Sequence, residues 1–332
     1  MAAHFSLLSC LLFSLLTISL SATSQRCHPS DYKVLMQIKK DLGNPYLLAS
    51  WTPNTDCCEW YCLECNEKTN RVDTLLIQDD DVLSGSIPPA VGDLPYLQTL
   101  VFRKLPKLTG TIPNAIAKLK HLSFVRLSWS KLTGPVPDFF SQLPELEYLD
   151  LSFNQLTGTI PPSFSKLAKL GALHLDRNNL TGTIPESYGH FVGTVPDLYL
   201  SHNHLTGTIP KSFANMHFVR IDLSRNKLVG DASFLFNYGM TEILDISRNM
   251  LEFDFSKVKI PVKHVNTLDI NHNKIYGSIP KDIAKTVFLS TFNVSYNNLC
   301  GKIPTGGRMD HFDESTYIHN KCLCGKPLSV KC

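Results

Sequence analysis

Apolar residues recur along this chain with two nested periods. Within a unit they alternate: LDLSFNQLTGTIP at 149–161, LHLDRNNLTGTIP at 173–185 and LYLSHNHLTGTIP at 198–210 each open on L-x-L. Alternation sends two apolar side chains to one face and their neighbours to the other, the signature of a half-buried strand. Leu149 and Leu151 are thereby expected inside; Tyr148, Asp150 and Ser152 are expected outside. Between units the pattern returns every 23 to 25 residues, marked by Gly85, Gly110, Gly134, Gly158, Gly182, Gly207, Gly230, Gly277 and Gly301. One term is missing, at Phe253. A single unit cannot bury its apolar face, so units must stack.

This is the period of the leucine-rich repeat, in ten copies. The predicted fold is an α/β repeat solenoid, a right-handed superhelix with a parallel sheet on its concave side. An asparagine is fixed after each strand: Asn154, Asn178, Asn203, Asn226, Asn249, Asn273 and Asn297. Its amide both donates and accepts, which suits backbone groups left over where the chain turns inward. Counted back from the glycines, the first three copies carry Asp81, Pro106 and Ser130 there, and less regular turns are expected. The glycine permits positive φ. The I-P or V-P that follows starts an extended piece on another side. The extension L-x-G-x-I-P resembles the plant-specific class of these repeats, which implies a second, shorter sheet and a 3₁₀ or short helical return on the convex side. The copy at 244–260, without the glycine and proline, is expected to leave that second sheet.

The ends differ from the middle. Residues 1–24 read as a secretory signal peptide, with an apolar run of about 16 residues that is short of the ~20 a spanning helix needs. The expected organisation is signal peptide 1–24, cysteine cap 25–66, repeats 67–304 and cysteine cap 305–332. The product is expected to be exported, soluble and monomeric, with no membrane span. Of ten cysteines, Cys10 lies in the leader; the other nine all sit in the two caps. Export favours disulfides over zinc, although Cys62-x-x-Cys65 has ligand spacing. Nine is odd, and Cys62 is the expected free thiol. A formal charge of +3 is too small to argue for nucleic acid. No phosphate loop, nucleophile elbow or metal signature appears, so neither a cofactor nor an enzyme is expected.

DCCEWYCLEC at 56–65, the preceding VLMQIKKDLGNPYLLASW, and NVSYNNLCGKIPTGG with HNKCLCGKPL at the far end carry a sharper match. Together with the repeats they resemble the plant polygalacturonase-inhibiting proteins over essentially the whole exported chain. That resemblance implies a secreted cell-wall protein that binds fungal or insect endopolygalacturonases through its concave face in plant defence. It also implies the pairs Cys27 with Cys57, Cys58 with Cys65, Cys300 with Cys322, and Cys324 with Cys332. Two alternatives stay open. A carrot antifreeze protein is similar over its length, and rows of threonine such as Thr159, Thr183 and Thr208 suit ordered water. Leucine-rich repeat co-receptors share the repeat and the first cap.

The repeated letters build the rod, so the changing outward letters are the candidates for recognition. After the first strand leucine the column reads Arg126, Asp150, His174, Tyr199, Asp222, Asp245, Asp269 and Asn293. Two residues on it reads Ser128, Ser152, Asp176, Ser201, Ser224, Ser247, Asn271 and Ser295. One further it reads Trp129, Phe153, Arg177, His202, Arg225, Arg248, His272 and Tyr296. The acidic members would face a basic partner, Trp129 and Phe153 would add exposed aromatic surface, and Phe153, His174 and Tyr199 would serve as desolvated anchors. The row Arg177, His202, Arg225 and Arg248 could hold homogalacturonan, the polyanion of pectin. Asn179-Leu-Thr and Asn293-Val-Ser are glycan acceptor sequences.

Overall fold

A computed structural model describes residues 26–236 and 239–332. The expected signal peptide at 1–24 lies outside the described residues. The architecture is a leucine-rich repeat solenoid whose longest sheet has eleven strands, running in chain order from Leu63–Cys65 to Thr291–Asn293. Ten of them are parallel; Leu63–Cys65 joins antiparallel to Val72–Gln78 and covers the edge that stacking would leave open. The L-x-L leucines fill the interior: Leu149, Leu151, Leu173, Leu175, Leu198 and Leu200 are fully buried. On the opposite side each copy makes a short 3₁₀ turn, such as Asp138–Gln142, Pro162–Lys166 and Lys211–Asn215. The I-P or V-P proline immediately precedes these turns (Pro137, Pro161 and Pro210), its fixed φ setting the entry direction.

The asparagines explain the stacking. Asn203 Nδ2 donates to the carbonyls of Leu200 and Ser201 in its own copy and of Leu175 in the copy before, at 3.0 to 3.2 Å. Its Oδ1 accepts from Leu180 N at 3.0 Å. The same set repeats at Asn154, Asn178, Asn226, Asn249, Asn273 and Asn297. Each amide therefore closes its own turn and ties it to the previous one. The ladder also runs one step further than the sequence suggested. Asn320, in the C-terminal cap, bonds Val294 O, Tyr317 O and Leu299 N in the same way.

Strand register corrects the first two turns. Leu75 pairs with Leu100 and Leu100 with Val125. Counting forward from these strands puts Asp80 and Leu105, not Asp81 and Pro106, at the asparagine position. One extra residue lies between strand and glycine in those copies. Asp80 Oδ1 takes the N–H groups of Val82 and Leu83, while Leu105 is simply buried.

The second sheet exists as separate pieces. Ser84–Ser86 pairs with Lys107–Thr109; Thr206–Thr208, Lys227–Gly230 and Met250–Leu251 form a second; Tyr276–Gly277, Asn298–Lys302 and Cys322–Cys324 form a third. The 244–260 copy does not leave the sheet outright. Met250–Leu251 still pairs with Val229–Gly230; past them, where Phe253 replaces glycine and turns into the core, only an isolated parallel bridge, Asp254 with Tyr276, reaches the next copy. Glycine matters here for space as well as dihedral: at Gly182, with φ of +80°, an added Cβ would lie 2.9 Å from the Thr159 methyl.

The caps use cystines and one buried ion pair. Cys27 is bonded to Cys57, Cys58 to Cys65, Cys300 to Cys322 and Cys324 to Cys332. Cys62 is a buried thiol, its pKa pushed up to about 12 by burial and by Asp80, so it is a poor nucleophile. Asp31, on the helix Pro29–Asp41, is buried and receives Arg71 through both carboxylate oxygens, at 2.7 and 2.8 Å, plus Val72 N. That clamps the helix to the first parallel strand.

Candidate functional site

The outward positions of the long sheet form one continuous face, but its three columns differ in depth. The residue just before each ladder position, whether asparagine or the Ser130 that stands in its place, is left-handed. Trp129, Phe153, Arg177, His202, Arg225, Arg248, His272 and Tyr296 all have φ between +52° and +56°. Only the turn, fixed by the asparagine ladder, holds L-residues there. These side chains therefore stand on the rim of the face. Trp129 is 47% exposed and stacks on Phe153 at 3.6 Å; the Arg177 guanidinium lies 4.8 Å from the Phe153 ring. Tyr296 is sandwiched between His272 and His319. Among the described residues, Arg225 and Arg248 form no ion pair.

The serine column lies deep. Ser128, Ser152, Ser201, Ser224, Ser247 and Ser295 are all buried although they sit on the concave face, which corrects the expectation that Ser152 and Ser201 are exposed there; Ser201, Ser224 and Ser247 still line the groove. With strands about 4.8 Å apart, the longer neighbours close over a short side chain. Asp150 is a second correction. It is only 5% exposed, its Oδ2 takes Arg126 Nε at 2.9 Å, and its Oδ1 takes Ser152 N and Oγ. Its charge is spent inside the protein.

The remaining carboxylates are half-buried and crowd one another. Asp222, Asp245 and Asp269 are direct register partners on adjacent strands. Burial, then the charge of Asp222, raises the Asp245 pKa to about 7. Burial, then Asp150, raises Asp176 to about 7. Burial also raises Asp269. Burial lowers His174, so its 3.9 Å approach to Asp176 is a weak contact near neutrality. His202 and His272 are also lowered, by burial and then by the neighbouring arginines. The result is a shallow groove of about 450 Å³ with Asp176, Asp222, Asp245 and Asp269 on its floor and Arg177, His202, Arg225 and Arg248 along one side.

A further column precedes the first strand leucine, and the sequence marked only Tyr148 of it as outward. Phe124 and Tyr148 stack at 4.4 Å, and Tyr148 touches His174, which stacks on Tyr199 at 4.3 Å. In later copies Arg220 bridges Asp197 and Glu242. The only sequence signal was that these positions vary with the others. Of the two glycan acceptors, Asn179 is exposed beside the rim. Asn293 is half-buried, its Oδ1 held by Ser295 N and Oγ. Among the described residues, no helix is long and apolar enough to cross a membrane.

Residues 28–66 match the leucine rich repeat N-terminal domain family, and 120–180 and 197–216 match leucine rich repeat families. The chain is 68% identical to the polygalacturonase inhibitor of Pyrus communis over 92% of each chain. It is 63% identical to polygalacturonase inhibitor 2 of Arabidopsis thaliana over 96% of each. Among solved structures, a plant ice-binding protein superposes with a TM-score of 0.90 at 54% identity, covering 93% of this chain and 99% of that one. Identity of this extent over nearly the full length settles the relationship: the chain belongs to the polygalacturonase inhibitor family of leucine-rich repeat proteins.

Proposed function

We propose that this chain is an extracellular, non-catalytic inhibitor that binds a fungal or insect endopolygalacturonase on its concave face as part of plant defence. The observation that carries the reading is the 68% identity to a polygalacturonase inhibitor over 92% of both chains. The geometry supports it. An open face with a shallow polar groove suits a protein partner better than an enclosed small substrate. An enzyme that cleaves an acidic polymer needs basic residues around its cleft, and Asp222 and Asp269 offer complementary charge, which acts mostly on encounter. Trp129 and Phe153 supply rigid rim anchors.

The test is a panel of purified endopolygalacturonases assayed by release of reducing ends. Against an enzyme that the parent slows, Phe153→Ala is expected to speed dissociation about tenfold or more, and Asp222→Lys to slow association. Lys166→Glu, on the convex side, should change neither by more than about twofold. A panel in which no enzyme is slowed would refute the reading.

The unpaired rim cations Arg177, Arg225 and Arg248, with His202, are proposed to bind pectin as well. Retention on immobilised pectate is expected to weaken with salt and to drop in Arg225→Ala plus Arg248→Ala. Retention unchanged in that pair would reject it. Ice binding is favoured only by the 54% identical structural neighbour. Thr159, Thr183 and Thr208, the row named for ordered water, are exposed, whereas the hydroxyls of the adjacent row, Thr133, Thr181 and Thr206, donate to glycine carbonyls of the preceding copies. Ice growth slowed by the parent, with the whole panel of polygalacturonases untouched, would reverse this preference.

A further inference from the structure

A run of rings that joins two neighbouring columns divides the concave face. Arg126 is the key to it. Its Nε donates to Asp150 Oδ2 and its Nη2 to the Tyr148 hydroxyl, both at 2.9 Å. Asp150 uses its other oxygen on Ser152. Arg126 and Asp150 therefore cancel and are geometrically fixed; of the other charges beside the rings, Asp197 is bonded to Arg220, and Asp176, 3.9 Å from His174, has its pKa raised to about 7 by burial. Around Arg126 and Asp150 stand four half-buried rings in contact: Phe124 on Tyr148, parallel within 3°, Tyr148 against His174, and His174 on Tyr199, parallel within 9°. Burial keeps His174 neutral and raises the Tyr148 and Tyr199 hydroxyls further from ionisation. From Asp222 onward the same face is different: carboxylates lie in register beside arginines that have no ion pair among the described residues.

We propose that Phe124, Tyr148, His174 and Tyr199 form a neutral docking pad that receives an uncharged, apolar or aromatic loop of the polygalacturonase, while the charged strands beyond it govern encounter. This rests on the inhibitor reading and adds to it the chemistry of one part of the partner. Charge complementarity makes the argument. A charged partner group placed over Phe124 and Tyr148 would lose its water and find no free opposite charge, because Arg126 and Asp150 are already paired. An apolar loop loses nothing. The rings are also pre-stacked, so little side-chain freedom remains to be lost on binding. Phe124 and Tyr148 are thus specificity determinants, and Arg126 is a positioning residue that acts through Tyr148.

The experiment measures dissociation from a polygalacturonase that the parent inhibits, at about 0.05 and 0.5 M salt. Tyr148→Ala and Phe124→Ala are expected to dissociate about thirtyfold faster, by the same factor at both salts, because no charge is lost. Tyr148→Phe keeps the ring and should stay within about threefold of the parent. Asp222→Lys should instead alter association, and only at low salt. Thermal midpoints of all variants are recorded to separate binding from folding. The pad is refuted if Tyr148→Ala and Phe124→Ala dissociate like the parent with unchanged midpoints. It is equally refuted if their effect disappears at high salt, which would assign the contact to charge. A parent that slows no polygalacturonase removes the inhibitor reading, and the pad with it. A parent that inhibits beside a silent Tyr148→Ala removes the pad alone.

Discussion

Asn203→Leu is expected to destabilise the solenoid by about 3 kcal/mol or more, while His204→Ala, one residue on and exposed, should change stability by less than about 0.5 kcal/mol. Leucine matches the volume but removes one acceptor and three donated bonds. Left behind are the buried N–H of Leu180 and the carbonyls of Leu175, Leu200 and Ser201, without their side-chain partner. The orphaned Leu180 N–H costs about 1–3 kcal/mol, and the carbonyls keep one partner each, Leu175 O the Asn178 amide, Leu200 O the Asn226 amide and Ser201 O the Arg177 N–H. The damage is shared between copies, because every amide spans two. A second consequence concerns the binding rim: His202, directly before this asparagine, sits at φ of +54°. Without the ladder nothing offsets the cost of that conformation, so the rim should loosen along with the core. Denaturant titration of both variants beside the parent checks the claim. Equal midpoints for Asn203→Leu and the parent would mean that stacking of the leucines alone holds the copies in register.

How much of this was legible in sequence follows from what each signal reports. The period, the inward leucines and the ladder asparagines could be read because many copies repeat one constraint. Two kinds of information could not. The first was local register. The glycine count placed Asp81 and Pro106 in the turns, but an extra residue between strand and glycine moves those turns to Asp80 and Leu105, and a single insertion leaves the period almost untouched. Asn320 was missed for the converse reason: Tyr317 fills the inner position normally held by leucine, and cysteines follow the asparagine, so the copy looked like cap. The second was depth. Alternation says which way a side chain points but not what grows over it. Asp150 and Ser152 do point to the concave face, yet Arg126 and the rings around it close above them. The left-handed rim had no signature at all, because the residues there are aromatic or basic rather than glycine.

The crowded carboxylates make the second large effect a matter of pH. Asp245 and Asp176 hold their protons to about 7, whereas an ordinary aspartate, as in the unfolded chain, releases its proton near 3.8. Between those values the folded protein binds protons that the unfolded chain does not. Folding stability is therefore fully present below about 4 and is lost as pH rises through 7. Burial sets most of the Asp245 shift; Asp222 and Asp269 on the flanking strands add to it, and the hydroxyl and backbone N–H of Ser247 oppose it. Because the carboxylates are coupled, the two shifts do not simply add; the expected loss from pH 5 to 8 is on the order of 4 kcal/mol. Asp254 and Asp313, lowered chiefly by hydrogen bonds from Ser256 and Ser315, work in the opposite sense only below about 4, whereas His174, His202 and His272, lowered from 6.5 by burial, oppose the decline inside the window and offset part of it. Thermal midpoints measured from pH 5 to 8 should fall, and Asp245→Asn should flatten the decline while raising the midpoint at pH 8. The same protons act on the groove. Arg225 and Arg248 keep their charge throughout, so each carboxyl neutralised on the floor leaves the rim more cationic, and pectate retention should strengthen on acidification in the parent and respond less to pH in Asp245→Asn. Midpoints independent of pH, or a variant with the parent's slope, would show that solvent reaches this row well enough to keep every carboxylate charged.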